Sequence, residues 1–495
     1  MKKKIICLAL SALLSVAGGA VGCGKSGETG ARGEIPAFSS GGRGVTFSAY
    51  AAPTVNRGVD GLTEEHYKKL SEAGFNKAVA LYEGASTAGG GDVYETIAKR
   101  SEKAEADALK VLNLAEKYNV KYFVRDWSFY GLGKNFAEIR TKDDFEKVIS
   151  KMFDKDNKYI NHNAYGGNFG FDEPNVQEME TIAWQAELYN KYIAQNGTKG
   201  GEIFVNLLPG YVMDNSSALS ENKDITYRQY VDYYFDNVIR NVGYVCWDFY
   251  PLMKTASDEN YIRDMYYYNY ELMAERCKNT DYEVRTFVQA KGDFTGTRNI
   301  TGVSDFRWQI YSGMAFGCRE FVYYTYSSEH GVSDYTKNDG YSLYNYATGE
   351  YTYVYEAAKQ VNNEIHAMQD AYDAYKWDGV MYKNASEMVD NQLFANLMNP
   401  IEKHDRIRIK ECSLDTLIGV FKAKDENAAA RDAFMIVNAN EPSEDKDNVV
   451  TVQFKDATQL LMYRLGQRII VPLGEGGTYT FKLYPGEGRF VIPLK

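Results

Sequence analysis

Eight short runs of β-branched and aromatic residues, each roughly 30 to 50 residues after the last, constrain this chain more than any other feature. They are VTFSAY (45–50), NKAVALY (76–82), KYFVRDW (121–127), NFGFDE (168–173), EIFVNLL (202–208), GYVCWDFY (243–250), VRTFVQAK (284–291) and EFVYYTY (320–326). Helix-length segments fit between them. Thr63 to Gly74 opens with Thr63-Glu64-Glu65, a helix-start pattern, and closes at a glycine. Residues 92–118 carry Ala, Leu and Tyr on a helical period, and Asn175 to Ala194 follows directly on the fourth run. The segments 226–241, 258–278, 303–316 and 350–369 are also expected to be helical. Strands alternating with helices build either an open doubly wound sheet or a closed ring. No glycine-rich dinucleotide turn follows the first run. Polar and aromatic residues instead recur at the C-terminal ends of the runs: Asp126-Trp127, Asp172-Glu173, Asn206, Asp248 to Tyr250, Gln289, and Tyr324 to Tyr326. A (β/α)8 TIM barrel presents its site on that face, so the barrel is the expected fold.

After about residue 371 the pattern changes to alternating runs such as TLIGVFKAK, AFMIVNA, VVTVQF and LLMYRL, broken by Gly, Asn and Asp. This predicts a small antiparallel β-sandwich after the barrel. The expected layout is a signal peptide over 1–22, a flexible tether over 23–44, the barrel over 45–375 and the sandwich over 376–495. The first segment has Lys2, Lys3 and Lys4, then an apolar run from Ile5 to Val16, too short to span a bilayer as a helix. Ala20-Val21-Gly22-Cys23 resembles the lipobox of bacterial lipoproteins, which implies export and a lipid anchor at Cys23 in the cell envelope. The Gly- and Ser-rich stretch from Gly24 to Gly44 reads as the tether. Residues 19–26, GAVGCGKS, match the phosphate-loop pattern by letter. That loop works only between a strand and a helix, and here the segment straddles the expected cleavage point, so no nucleotide site is expected.

Charge narrows the partners. Without residues 1–22 the formal charge moves from −11 to about −14, which argues against nucleic acid or anionic polymers as partners, since both need a basic surface. The histidines show no H-x-x-x-H or H-E-x-x-H spacing, so a zinc hydrolase is not expected, and no Ser sits in a G-x-S-x-G elbow. Cys246, Cys277, Cys318 and Cys412 show no metal or disulfide spacing and are expected to be free thiols. The 41 tyrosines leave two readings open: rings that stack on polar ligands at the surface, or rings that fill strands and helix faces.

The strongest local signal is FGFDEP at 169–174. A carboxyl at a strand end beside another acid has its pKa raised and stays protonated, as a general acid requires. Glu173 fits that role, with Asp172 as its neighbour; strand alternation allows only one of the two to face inward. An acid followed by Glu-Pro at the end of strand four resembles the acid/base signature of the clan of retaining barrel glycosidases, which includes cellulase-like and β-galactosidase-like families. Asp248 to Pro251, VQA at 288–290, the segment 306–328 and the C-terminal LYPGEGRFVIPL extend that resemblance over most of residues 45–495 to barrel hydrolases of gut and soil bacteria. It implies cleavage of glycosidic bonds in a carbohydrate substrate. Paired carboxylates need no cofactor for this and no metal.

The chain departs from the clan at the end of strand seven, where the nucleophilic Glu is replaced by Gln289. A neutral amide cannot form the glycosyl ester. Asp248, on rigid strand and flanked by Trp247 and Tyr250, is the first candidate for the second carboxylate; Asp293 and Glu329 are the others. Asp172, Trp127, Tyr250, Gln289 and Tyr324 are expected to shape the sugar site. Asp126 beside Arg125 reads as an ion pair, and YYYNY at 266–270 as helix packing. A glycan-binding lipoprotein with an inactive barrel is the alternative that the missing acid motivates. A lyase on acidic polysaccharide is a weaker one, because the strand ends offer acids rather than bases.

Overall fold

The computed structural model describes residues 38, 44–54, 62–79, 92–198, 200–292, 296–327, 342–345, 348–386 and 391–495. Cys23, Asp293 and Glu329 lie outside the described residues.

All eight expected strands are present: β1 Thr46–Tyr50, β2 Lys77–Val79, β3 Lys121–Val124, β4 Tyr165–Asp172, β5 Glu202–Asn206, β6 Tyr244–Trp247, β7 Glu283–Gln289 and β8 Glu320–Tyr324. They pair in parallel in the order β5-β4-β3-β2-β1-β8-β7-β6. A parallel bridge from Leu207 to Trp247, with Leu207 N–H donating to Cys246 O at 2.8 Å, joins β5 to β6 and closes the ring. The main helix after each strand is, in order, α1 Glu64–Glu72, α2 Val93–Lys117, α3 Lys142–Met152, α4 Val176–Gln195, α5 Tyr227–Asn237, α6 Tyr266–Cys277, α7 Val303–Ala315 and α8 Tyr353–His366. The fold is therefore a TIM barrel.

Local chemistry starts these helices where it should. Thr141 and Asp144 form a capping box on α3, Asn175 and Glu178 on α4, and Thr226 and Gln229 on α5. Helix α3 was not expected from the sequence, although its T-x-x-D start was there to be read. The expected helix over 258–278 forms only from Tyr266; Asn260–Ile262 instead pairs with Leu252–Lys254 as a short hairpin. One glycine is obligatory for barrel pairing. Gly167 has φ +146°, and a Cβ there would fall 1.8 Å from Glu202 O on β5.

The barrel interior is layered, as such barrels are. At the N-terminal ends of the strands, Lys77 bridges Glu320 (2.7 Å) and Glu202 (3.1 Å), Arg285 bridges Glu202 (2.7 Å) and Glu320 (3.2 Å), and Ser48 Oγ donates to Glu320. Above this lies an apolar layer of Phe123, Phe169, Phe204, Tyr244, Phe287 and Val322. The polar groups of the C-terminal face stand on top of it.

The chain continues into an antiparallel β-sandwich. Its strands are β9 Tyr375–Lys383, β10 Ile407–Cys412, β11 Thr416–Ala423, β12 Asp432–Asn438, β13 Asn448–Phe454, β14 Gln459–Arg464, β15 Gln467–Pro472, β16 Thr478–Leu483 and β17 Gly488–Leu494. They form a six-stranded sheet, β9-β11-β12-β17-β14-β15, and a three-stranded sheet, β10-β13-β16. Ile418, Val420, Phe434 and Ile436 meet Val450, Val452, Phe481 and Leu483 between them. The other face of the large sheet is covered by α7, and barrel and sheet residues share one core. Contact is close enough that a Cβ on Gly419 would lie 2.3 Å from Ala315 O.

Tyrosines mostly fill this interior. Of those described, Tyr211, Tyr261 and Tyr353 stand exposed, while Tyr266, Tyr267 and Tyr270 of the 266–270 cluster are fully buried. Cys246, Cys277 and Cys318 are buried free thiols and Cys412 is a partly buried one.

Candidate active site

Strand β4 delivers two carboxyls to the barrel mouth. Asp172, its last residue, accepts from Tyr50 Oη of β1 (3.0 Å) and from Asn206 Nδ2 of β5 (3.0 Å). Glu173 follows with φ +50°, a left-handed conformation that non-glycine residues seldom adopt and that concentrates at functional sites. Its N–H donates to Asn206 O at 2.8 Å, which holds the turn. The turn breaks the alternation expected of neighbouring strand residues: both acids reach the same mouth, where each acts on Asp248. The expectation that only one could do so is corrected.

Asp248 comes from the end of β6 and hydrogen-bonds to Glu173. Two carboxyl groups share a hydrogen bond only if one is protonated. Glu173 is pushed up to about 7, first by the protein around it, then by the charge of Asp172, against the lowering bond from Asp248. Glu173 is nonetheless one of the exposed side chains of the barrel's C-terminal face. Asp248 is buried, and burial followed by repulsion from Glu173 and Asp172 raises its pKa well above the usual carboxylate range. Among the described residues, Oδ1 of Asp248 and Oδ1 of Asn206 are buried acceptors with no hydrogen-bond partner. Unpaired buried acceptors are costly, and a ligand hydroxyl or amide would relieve them.

Rings line the mouth. Tyr324 lies 5.3 Å from Tyr250 and 5.7 Å from Tyr50 by centroid; Tyr250 is buried, Tyr324 partly so. Trp127, half-buried, meets Tyr130 edge-on at 5.5 Å. The Arg125 guanidinium sits among these rings, 4.0 Å from the Tyr130 centroid and 4.7 Å from that of Phe169. It does not pair with Asp126, contrary to expectation. Successive strand residues face opposite ways, and Asp126 instead accepts from Ser128 N–H (2.8 Å) and Ser101 Oγ (3.3 Å). Burial raises Asp126 to about 6.

Gln289 stands at the strand-seven end and is wholly engaged by the protein. Its Oε1 accepts from Leu252 N–H (2.9 Å), and its Nε2 donates to Leu252 O (3.2 Å) and Arg298 O (2.8 Å). It ties two loops of the mouth together rather than offering a group to a ligand.

Three features escaped the sequence reading. Tyr211, from the loop after β5, is 40% exposed and packs its ring 5.1 Å from Phe249, the neighbour of Asp248. Arg263, from the loop after β6, lies 4.0 Å over Tyr211. Lys291 Nζ, just past β7, is 5.5 Å from the Tyr324 ring. The acidic mouth is thus flanked by cations on rings, which the run of acids at the strand ends does not disclose.

No protein-family model and no curated protein matches the chain. Solved structures do. A glycoside hydrolase family 5 protein from Bacteroides vulgatus ATCC 8482 superposes with a TM-score of 0.51 at 10% identity, covering 91% of this chain and 89% of that one. A structure described as a glycoside hydrolase gives 0.49 at 11% identity over 91% and 93%, and a β-galactosidase from Bacillus circulans sp. alkalophilus gives 0.47 at 8% over 91% and 99%. The chain shares the fold of that family 5 glycoside hydrolase structure, a (β/α)8 barrel followed by a β-sandwich.

Proposed function

We propose that the chain is a glycoside hydrolase acting outside the cytoplasm, tethered through a lipid on Cys23, that cleaves glycosidic bonds of an oligo- or polysaccharide. The observation that carries this reading is the Glu173–Asp248 pair: a carboxyl held near neutral pKa, hydrogen-bonded to a second acid at the barrel mouth. Glu173 in its protonated form donates to the glycosidic oxygen as the bond to the anomeric carbon breaks. The pair is closer than the about 5–5.5 Å or about 6.5–9.5 Å at which two catalytic carboxyls flank a sugar. Binding therefore has to part the two acids. With the two apart, the proton that the pair holds resides on Glu173 and passes to the glycosidic oxygen, and Asp248 in its ionised form attacks the anomeric carbon or draws a proton from water. Asp172, fixed by Tyr50 and Asn206, adds the negative charge that keeps the proton on the pair. The sugar packs among Trp127, Tyr250 and Tyr324.

The test is release of reducing ends from a polysaccharide panel by wild type and by Glu173→Gln. Loss of at least about 100-fold in rate is expected; undiminished release would remove Glu173 from the mechanism. The engagement of Gln289 by backbone favours a second reading, a glycan-binding protein that does not cleave. Binding on a glycan array with no reducing ends over long incubation of wild type would favour it.

A further inference from the structure

Arg263 is an arginine held by rings where others in this chain are held by acids. Arg276, Arg285, Arg298, Arg307, Arg319 and Arg489 are partly or fully buried, and each is ion-paired. Arg263 is also partly buried, yet among the described residues it has no carboxylate partner, although Asp258, Glu259 and Asp264 lie on its own loop. Its position is well defined. Its N–H donates to Pro251 O at 2.9 Å, which fastens it to the segment carrying Asp248. Its guanidinium stands 4.0 Å from the Tyr211 centroid and 5.9 Å from that of Phe249. Tyr211 is itself near enough to Asp248 and Glu173 for their charges to act on its hydroxyl.

We propose that the sugar bound at this mouth carries an oxyanion, either a uronate carboxylate or a sulfate ester, and that Arg263 receives it. This inference rests on the carbohydrate reading of the site. The guanidinium spends one donor on the Tyr211 hydroxyl and keeps others of its planar fork for an incoming oxyanion, the geometry that carboxylate and sulfate fit with two bonds. Tyr211 offers an exposed aromatic face for the pyranose ring. A neutral sugar needs no cation here, whereas an anionic one would be repelled by Asp172, Glu173 and Asp248 unless a positive group offset them. Lys291 beside Tyr324 and Arg125 beside Tyr130 add positive potential around the same mouth.

The test uses the full chain bearing Glu173→Gln, so that ligands are bound without turnover. It is titrated calorimetrically with matched pairs: oligogalacturonides against galacto-oligosaccharides, glucuronate-bearing against glucose oligomers, and sulfated against unsulfated galactan oligomers. At least one acidic member is expected to bind tenfold or more tighter than its neutral twin. Adding Arg263→Gln should bring that ratio close to one and leave the neutral affinity unchanged, and Arg263→Lys should restore part of it. Which pair responds distinguishes carboxylate from sulfate. Equal or better binding of the neutral twins, equal weakening of both by Arg263→Gln, or no binding across the panel overturns the proposal. If wild type cleaves neutral glycosides and Arg263→Gln leaves that rate alone, this inference falls while the hydrolase reading stands. Acid-selective binding without cleavage gives the reverse.

Discussion

The two ends of the barrel interior carry similar side chains to opposite effect. At the N-terminal end, Glu202 and Glu320 are matched by Lys77 and Arg285. Burial alone would raise Glu202, but Arg285 and Lys77 overcome it and hold the carboxyl well below its usual range. At the C-terminal end, Asp172, Glu173 and Asp248 crowd together, and hydroxyl, amide and one another are their bonding partners. Burial and mutual repulsion there add, and Glu173 and Asp248 move up. A matched set of buried charges is satisfied within the protein and has nothing left for a ligand. An unmatched set retains protons, unpaired acceptors and an energetic reason to bind something. The difference separates an end of the ring that is satisfied within the protein from one able to take a ligand.

The largest test of this contrast is Arg285→Met. Removing one partner of a buried ion cluster strands the others, so a loss of about 3–5 kcal/mol is expected in urea unfolding. A loss under about 1 kcal/mol would mean that the lower layer is not a matched set. Next comes Asp172→Asn, which removes a charge that raises both partners. The alkaline limb of the rate profile, set by loss of the Glu173 proton near 7, should move down by on the order of one pH unit. An unmoved limb would show that Asp172 does not govern the pair. The smallest effect is on stability. Between about 4.5, where the unfolded carboxyl ionises, and about 7, the folded state holds the Glu173 proton that the unfolded state has released. Stability therefore falls as pH rises through that window. Glu173→Gln should flatten this slope and raise the melting temperature at neutral pH by on the order of 1 °C; a lowered melting temperature would contradict the crowding of charge at the mouth.

Legibility followed the range of the forces involved. The alternation of runs and helices, the change of texture near residue 371 and the start of a helix at Asn175 are local patterns, and all of them appear in the fold. The helix Lys142–Met152 carries its start locally in Thr141 and Asp144, while the hairpin at Asn260–Ile262 depends on a partner strand. Arg125 and Asp126 look like an ion pair in sequence because adjacency is visible there and facing is not. Tyr211 and Arg263 belong to different loops and meet only because two βα connections converge on one face.

By itself the sequence determined the strand and helix periodicity, the sandwich that follows, and a Glu at the end of the fourth strand, because hydrophobic period and turn chemistry are written residue by residue. Tertiary structure alone decided that Glu173 turns back through a left-handed φ to meet Asp248. It also decided that Gln289 serves backbone instead of a ligand, and that acids pair with bases at one end of the ring and with each other at the other. Those outcomes depend on which distant strands become neighbours when the barrel closes, and charge interactions at contact distance follow that geometry rather than the order of the chain.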